Sequence, residues 1–225
     1  MKLRSTYALI LIFVGVFFAV NTFFSPEEIV QSFGFSGENL VEGRIWTLVT
    51  SIFLHGSVAH LALNSIALFF FGRALESEVS LKQVLTIFFL GGIVGNLFVL
   101  FTYPTDQVVI GASGAVFAIM GTAIILAPFD FIPYPVPLPL PLALIGVFVA
   151  ISEVLTFLSG GHGNVAHIAH MGGLAAGLAF GFREGGSKTG ILALVLILLI
   201  ILILPYLWPV LTEFTYIPIL YDFLG

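Results

Sequence analysis

The chain has 225 residues, of which 59% are hydrophobic and 8% charged, and its formal net charge is -5. About a quarter of the residues of a soluble domain are charged, so this composition is that of an integral membrane protein. Seven lysines and arginines are too few for a nucleic-acid-binding surface, and the lack of cysteine excludes disulfides, thiolate catalysis and zinc-thiolate sites.

Apolar runs recur along the whole chain, and runs of about 20 residues are long enough to cross the roughly 30 Å hydrocarbon core as helices. Because helices keep their backbone hydrogen bonds internal, the expected fold is an all-α membrane bundle. We predict six core transmembrane helices and an additional C-terminal helix, at residues 7–24, 53–75, 84–102, 113–127, 140–158, 165–182 and 191–204, the last extending as far as 208 in a longer version.

The connections between these runs differ in kind. The first run could be a secretory signal peptide, but its length and the absence of a small-residue cleavage site favour a retained helix. Residues 25–52 mix charged and aromatic side chains, which is typical of a structured loop in the membrane interface. Residues 128–141 are rich in proline and predict a stiff connection that is not helical before its last prolines.

Lysine and arginine are distributed unevenly between the two sides of the predicted bundle. With the N-terminus inside, Arg44 lies outside and the other basic residues lie inside: Lys2, Arg4, Arg73, Lys82, Arg183 and Lys188. Cytoplasmic loops carry an excess of such residues, so a cytoplasmic N-terminus is predicted. The starts of the fourth and sixth predicted helices then lie toward the outer face.

The fourth predicted helix begins at the segment Gly111-Ala112-Ser113-Gly114 and is short for a full span. Its first residues are therefore expected in a recess that a water-filled cavity makes tolerable. A serine at this position is commonly a helix cap. The flanking glycines favour a second interpretation, in which the turn exposes the hydroxyl and brings backbone donors close to a reacting carbonyl.

His170 follows Ser113 by 57 positions and lies on a ladder of small residues that continues through Gly173, Gly177 and Gly181. Small residues at four-residue intervals let membrane helices approach closely, so the ladder alone could be a packing face with an incidental histidine. A hydrogen bond between a serine and a histidine requires the same close approach of the fourth and sixth helices.

His60 and Asn64 are four residues apart and project from one face of the second predicted helix. Their side chains could donate hydrogen bonds to an oxyanion, or they could join neighbouring helices. His167 and His170 could ligate a metal, but no H-E-x-x-H motif or clustered carboxylate supports one. We therefore predict neither a metal nor another cofactor.

At these residues the sequence resembles the rhomboid family of intramembrane serine proteases. The resemblance covers about Trp46 to Phe182 in the family's order and spacing. Four motifs carry it: Gly111-Ala112-Ser113-Gly114 followed by Gly121; Ala169-His170 with Gly173 and Gly177; His60-x-x-x-Asn64; and Gly72-Arg73-Ala74-Leu75-Glu76. One departure concerns the interfacial loop, where the family often has a Trp-Arg pair and Thr47 follows Trp46.

The resemblance implies that Ser113 is a nucleophile and His170 its general base, in a dyad without an acidic third residue. His60, Asn64 and the Ser113 backbone N–H would stabilise the oxyanion. Supporting positions would be Gly111, Gly114, His55, Gly173 and Gly177. No role follows for Glu153, His162, His167 or the seventh helix.

The same resemblance implies an organisation and a partner. Residues 1–183 would form a rhomboid-like six-helix catalytic core containing the interfacial loop 25–52, and residues 184–225 a linker, the additional helix and a short tail. The substrates would be single-span membrane proteins, cleaved near the outer face of the lipid bilayer, most naturally the cell membrane.

One alternative is a catalytically silent rhomboid-like membrane chaperone or binding protein, and another is a histidine-dependent metal transporter.

Overall fold

The computed structural model describes residues 5–101, 104–132, 138–158, 167–185, 188, 190–192 and 195. These residues are mainly helical, with a 3-10 turn at Ser51–Phe53 and a short antiparallel hairpin of β1 (Phe131–Ile132) and β2 (Leu138–Pro141). The α-helices are α1 (Ser5–Phe23), α2 (Pro26–Phe33), α3 (Gly37–Val41), α4 (Thr47–Thr50), α5 (Val58–Glu78), α6 (Leu81–Val99), α7 (Ser113–Leu126), α8 (Leu142–Leu158) and α9 (His167–Arg183).

Three described helices, α1, α5 and α6, are long and apolar enough to cross a membrane, and α7 and α8 are shorter apolar helices. The chain is thus an integral membrane protein, as its composition indicates. Each of the six predicted core helices overlaps one of α1 and α5 to α9. Residues 196–225 and His162 lie outside the described residues, so the count of six helices plus a seventh stays a prediction.

The start of α5 differs from the prediction, which placed it at Phe53. The segment Ser51–Phe53 forms a 3-10 turn instead, and α5 begins at Val58. Ser57 caps the helix, since its hydroxyl accepts a hydrogen bond from the backbone N–H of His60. This cap places His60 in the first turn of α5.

The interfacial loop contains α2, α3 and α4 and is held by its own polar side chains. Two guanidinium nitrogens of Arg44 donate to Asn39 Oδ1 at 3.0 and 2.6 Å, and the Asn39 amide donates to the Gly34 carbonyl at 2.8 Å. The indole N–H of Trp46 donates to the Ser32 carbonyl at 2.9 Å. Arg44 and Trp46 therefore both anchor this loop, although they do not form the family's adjacent pair.

A capping box opens α2 in the same loop. The Ser25 hydroxyl accepts from the Glu28 backbone N–H, and the Glu28 carboxylate accepts from the Ser25 backbone N–H at 2.8 Å. Hydrogen bonds from Ser25 lower the pKa of the Glu28 carboxyl, and the bond from the backbone N–H has a larger effect than the bond from the side chain. The carboxylate is consequently held in its charged form at the positive end of the α2 dipole.

The central element is α7, which packs against α5, α6, α8 and α9. All residues from Gly114 to Ile125 are buried. A helix that is apolar on every face occurs either as a membrane span or inside a protein core, and the neighbouring helices enclose α7 on all its faces. Its 14 residues span about 21 Å, so α7 is shorter than the hydrocarbon core.

Glycines bring α9 against α7, backbone to backbone. A Cβ atom at Gly173 would overlap the carbonyl oxygen of Gly114, and one at Gly177 would overlap that of Ala118. The Thr122 hydroxyl donates to the Gly177 carbonyl at 2.9 Å. These contacts set the distance between the two helices that carry Ser113 and His170.

The third member of this packed group is α6. A Cβ atom at Gly91 would overlap the Cβ of Ala118, and one at Gly95 would lie 2.7 Å from the Ala169 carbonyl oxygen. Close approach of small residues is a general means of packing helices in membranes, where apolar burial against a partner gains little over burial in lipid.

Polar contacts show which helix ends share a side. Ser5 at the start of α1 donates to Glu76 near the end of α5 at 2.6 Å. Gln83 at the start of α6 donates to Glu184 after the end of α9 at 2.7 Å. The starts of α5 and α9 consequently lie at the opposite end of the bundle. The start of α7 lies there as well, because Ser113 contacts His170 in the first turn of α9.

The proline-rich connection, predicted to be stiff and not helical before its last prolines, contains the hairpin of β1 and β2. Phe131 pairs with Pro141, and Ile132 pairs with Leu138, across an irregular register. Two further hydrogen bonds close the connection onto α8, from the Leu142 N–H to the Asp130 carbonyl at 2.8 Å and from Ala143 to Pro128 at 3.2 Å.

Gly177→Ala is expected to destabilise the fold because the new methyl group would collide with the backbone of α7. Overpacking of this kind costs about 1 to 3 kcal/mol. Thermal unfolding of the purified protein in detergent measures the effect. Gly15→Ala is the matched control, since among the described residues no atom outside the local backbone of its own helix lies within 4 Å of the added carbon. Equal melting temperatures for the two variants would contradict the proposed contact.

Candidate active site

The turn into α7 depends on Gly111. Its φ of 128° is a conformation that other residues rarely adopt, and its N–H donates to the Ser51 carbonyl at 2.9 Å. A Cβ atom here would lie 2.6 Å from His60 Nε2. Gly111 therefore lets the chain pass close to the His60 ring and turn just before α7 begins at Ser113.

Ser113 is the first residue of α7 and is not its cap, because Ala112 holds the cap position. The Ser113 Oγ lies 2.7 Å from His170 Nε2. This hydrogen bond joins α7 to α9 and is possible because glycines bring the two helices into backbone contact. The structure thus brings together the two residues that the sequence analysis proposed as nucleophile and base.

The His170 ring is held on its other sides as well. It is buried, with 6% of the residue exposed, and stacks on the Phe117 ring at 4.5 Å with an interplanar angle of 6°. Phe117 lies one helical turn after Ser113 on the same helix. The ring plane is therefore restrained by α7 while one ring nitrogen faces the Ser113 hydroxyl.

The second ring nitrogen of His170 faces a carboxylate that the sequence analysis did not include in the site. Glu153 Oε2 lies 2.8 Å from His170 Nδ1 and 2.7 Å from His167 Nδ1. The expectation that the imidazole lacks an acidic neighbour is wrong for this structure. A signal was available, since a charged residue inside an apolar membrane helix indicates a partner.

With Glu153 ionised, these contacts assign the hydrogen positions. An ionised carboxylate only accepts hydrogen bonds, so the Nδ1 atoms of His170 and His167 donate to Glu153. A neutral His170 ring then has its lone pair on Nε2, and the Ser113 hydroxyl donates to it. This is the arrangement in which a histidine can accept the proton of a nucleophile.

His60 and Asn64 lie beside the turn at Gly111. The Asn64 Nδ2 atom is buried and has no hydrogen-bond partner among the described residues. It lies 3.9 Å from the position of a Cβ at Gly111. His55 contacts the His60 ring edge-to-face, with the two ring centroids 5.1 Å apart. A buried amide donor without an acceptor is costly, which makes Asn64 a candidate for binding a ligand oxygen.

The predicted supporting glycines act in two ways. Gly111 permits the turn, whereas Gly173 and Gly177 permit the approach of α9 to α7. A Cβ at Gly114 would lie 3.4 Å from the Ala169 carbonyl oxygen, so this position is tight without being closed to a larger residue.

Glu153, His167 and His170 also form a group that could hold a metal ion, because one ligand atom of each lies within 4.8 Å of the others. Both histidines, however, contact the same carboxylate oxygen at 2.7 and 2.8 Å. Ligands of a tetrahedral zinc ion with bonds of about 2.0 to 2.1 Å are separated by about 3.3 Å. The arrangement is therefore that of two hydrogen bonds to a carboxylate.

Comparison with known proteins places this geometry in a wider group. The rhomboid domain family model matches residues 42–187. The putative rhomboid protease YdcA of Bacillus subtilis is 31% identical over 149 residues, which are 65% of this chain and 72% of that protein. The mitochondrial RHOMBOID-like protein 12 of Arabidopsis thaliana is 30% identical over 68% of this chain and 50% of its own length. The rhomboid protease GluP of Bacillus subtilis is 30% identical over 77% of this chain and 33% of its own length. The chain therefore spans only half and a third of the latter two relatives.

Ser113 is expected to react covalently with a fluorophosphonate probe. Its Oγ attacks the phosphorus, His170 takes the hydroxyl proton, and fluoride leaves. Ser113→Ala should abolish labelling, and His170→Ala should slow it by about 10²- to 10⁴-fold because the general base is lost. Mass spectrometry of the labelled peptide identifies the site.

Ser77→Ala is the control for this labelling. Among the described residues the Ser77 hydroxyl bonds only the Ala74 carbonyl of its own helix, at the far end of α5. It should leave the labelling rate unchanged. Labelling that persists in Ser113→Ala would show that another residue reacts.

Proposed function

The chain belongs to the rhomboid family, and on this premise we propose that it is an intramembrane serine endopeptidase. Its reaction is the hydrolysis of a peptide bond in or near a transmembrane segment of a membrane protein substrate. The observation that carries the proposal is the 2.7 Å contact of Ser113 Oγ with His170 Nε2 at the start of a short, buried helix. The protease names of the relatives in Bacillus subtilis support it.

In the first step of the proposed mechanism, His170 Nε2 accepts the proton of Ser113 Oγ as the oxygen attacks the carbonyl carbon. A tetrahedral intermediate forms with a negative charge on the former carbonyl oxygen. The protonated His170 then gives its proton to the leaving amine as the carbon–nitrogen bond breaks. An acyl-enzyme on Ser113 and a free amino terminus result.

The proposed oxyanion site lies at the start of α7. The backbone N–H of Ser113 is one of the first four of the helix, which have no acceptor within it. Asn64 Nδ2 and the His60 ring line the other side of the Gly111 turn. Donors that are in place before the reaction stabilise the developing charge without a reorganisation cost.

In the second step a water molecule loses its proton to His170 Nε2 and attacks the acyl carbon. The tetrahedral intermediate collapses, the proton returns to Ser113 Oγ, and the new carboxyl terminus leaves. Because α7 is only about 21 Å long, its start lies in a recess that water can enter from one side of the membrane. The hydrolytic step therefore needs no water in the hydrocarbon region itself.

The proposed substrates are single-span membrane proteins. A transmembrane helix protects its peptide bonds with its own hydrogen bonds, so cleavage requires local unwinding. Glycine, proline or polar residues near the scissile bond favour such unwinding.

We further propose that the N-terminus is cytoplasmic and that the site opens toward the outer face of the cell membrane. Among the described basic residues, Arg73, Lys82 and Arg183 lie at the helix ends opposite the Ser113 end of the bundle. The excess of basic residues on cytoplasmic sides supports this orientation.

Cleavage of a single-span substrate by the full chain in liposomes tests the function. The wild type and Ser77→Ala should release two fragments, and Ser113→Ala and His170→Ala should release none above background. Unchanged cleavage by Ser113→Ala would overturn the mechanism. A folded wild-type protein that binds such substrates but neither cleaves them nor reacts with a fluorophosphonate would favour the silent chaperone.

Asn64→Ala should lower kcat by about 10²- to 10³-fold if the amide is an oxyanion donor. The melting temperature should not fall from the loss of hydrogen bonds, because Nδ2 has no partner among the described residues. Kinetics on the same substrate and thermal unfolding measure the two effects.

Asn96→Ala is the matched comparison, because Asn96 is about as buried as Asn64 but donates to the Leu48 carbonyl and the Ser51 hydroxyl. This variant should lose stability, by about 1 to 3 kcal/mol. If Asn64→Ala lost as much stability as Asn96→Ala and kept its kcat, Asn64 would be a structural residue.

A further inference from the structure

We propose that Glu153 is a positioning residue for His170 and completes a Ser113–His170–Glu153 relay. The inference rests on the proposed function, because it assigns Glu153 a task only if His170 acts as the base of Ser113. It differs from the simple pair of serine and histidine that the sequence resemblance implies.

The geometry of the relay is continuous. Glu153 Oε2 lies 2.8 Å from His170 Nδ1, and His170 Nε2 lies 2.7 Å from Ser113 Oγ. The Glu153 side chain is 19% exposed and the His170 side chain 8%. Hydrogen bonds to a charged group are shorter and about twice as strong as neutral ones, and partial burial reduces screening by water.

The Glu153 carboxylate fixes which nitrogen of the His170 ring carries the proton. A neutral histidine carries its proton on either ring nitrogen, and only the form protonated on Nδ1 can accept the Ser113 proton at Nε2. The hydrogen bond to Glu153 selects that form. After proton transfer, both ring nitrogens carry protons, and the negative carboxylate stabilises the positive ring.

His167 holds the carboxylate in place. Its Nδ1 donates to the same Oε2 atom at 2.7 Å, from one turn earlier on α9. The two imidazole rings are nearly perpendicular, at 89°, so they reach the oxygen from different directions. Two donors to one oxygen restrict the rotation of the Glu153 side chain and thereby the direction of the bond to His170.

Glu153 comes from α8, which is a different helix from those of the serine and the histidine. The buried residues of α8 lie at its start, at Leu142, Ala143, Gly146 and Val147, whereas none of the residues 148–157 is buried. A charged group in a lightly packed membrane helix is costly unless it is paired. The carboxylate therefore ties this half of α8 to α9, and the base is oriented only while that contact is made.

The rate of fluorophosphonate labelling tests this relay without a known natural substrate. Wild type, Ser113→Ala, His170→Ala, Glu153→Gln and Glu153→Ala are compared in the same detergent. Both Glu153 variants should label at least about 10²-fold more slowly than the wild type, with unchanged apparent affinity for the probe. Ser152→Ala is the matched control, because the exposed Ser152 hydroxyl bonds only the Val149 carbonyl of its own helix in the part of the chain that the structure describes.

Two rescues separate positioning from a general structural role. Glu153→Asp keeps the carboxylate and should label faster than Glu153→Gln. Added formate should speed the labelling of Glu153→Ala, and chloride at the same ionic strength should not. The proposal would be overturned if Glu153→Ala labelled slowly, unfolded at a lower temperature and gained nothing from formate, while Glu153→Asp labelled no faster than Glu153→Gln.

The remaining outcomes distinguish a failure of the relay from a failure of the proposed function. If Glu153→Gln labels at the wild-type rate while His170→Ala is slow, the relay is wrong and the proposed function stands. If Ser113→Ala labels as fast as the wild type, or the folded wild type does not label, the proposed function itself fails. Wild-type labelling that a chelator abolishes and zinc restores would show that the three side chains hold a metal, and would also overturn the relay.

Discussion

The backbone contact between α7 and α9 is the constraint on which the rest of the structure depends. Gly173 and Gly177 lie so close to the carbonyl groups of α7 that no side chain fits between the helices. In a membrane the gain from apolar burial is small, so this contact relies on close packing and on the hydrogen bond from Thr122. A separation larger by one methyl group would part Ser113 from His170.

A second constraint is the cost of polar groups inside such a bundle. His167, Glu153, His170 and Ser113 meet this cost by bonding to one another in a chain that joins α9, α8 and α7. Each internal member of the chain has both of its neighbours within 2.8 Å. The polar side chains of the site are thus part of the packing of three helices as well as candidates for chemistry.

Asn64 differs from these paired side chains, because its buried amide nitrogen has no hydrogen-bond partner among the described residues. Asn96 uses its amide to bind the Leu48 carbonyl and the Ser51 hydroxyl, whereas the equally buried amide nitrogen of Asn64 has no partner among the described residues. Proteins tolerate such local costs mainly at functional sites, where the group is reserved for a ligand. The rigid turn at Gly111 holds this donor beside the start of α7.

Composition alone determined that this is a membrane protein, and the motifs with their spacing pointed to its family and to most of its candidate site. Membrane helices are encoded by long apolar runs, and Ser113 and His170 are each marked by neighbouring glycines, so local sequence reveals both. The start of α5 was misplaced because the apolar residues before His55-Gly56-Ser57 were counted with the helix. They belong to a separate 3-10 turn, and Ser57 caps α5. Only the tertiary structure decided which residues contact Glu153. Its contacts with His167 and His170 join different helices, and the geometry that brings them together comes from the packing of α8 and α9, which no local pattern encodes.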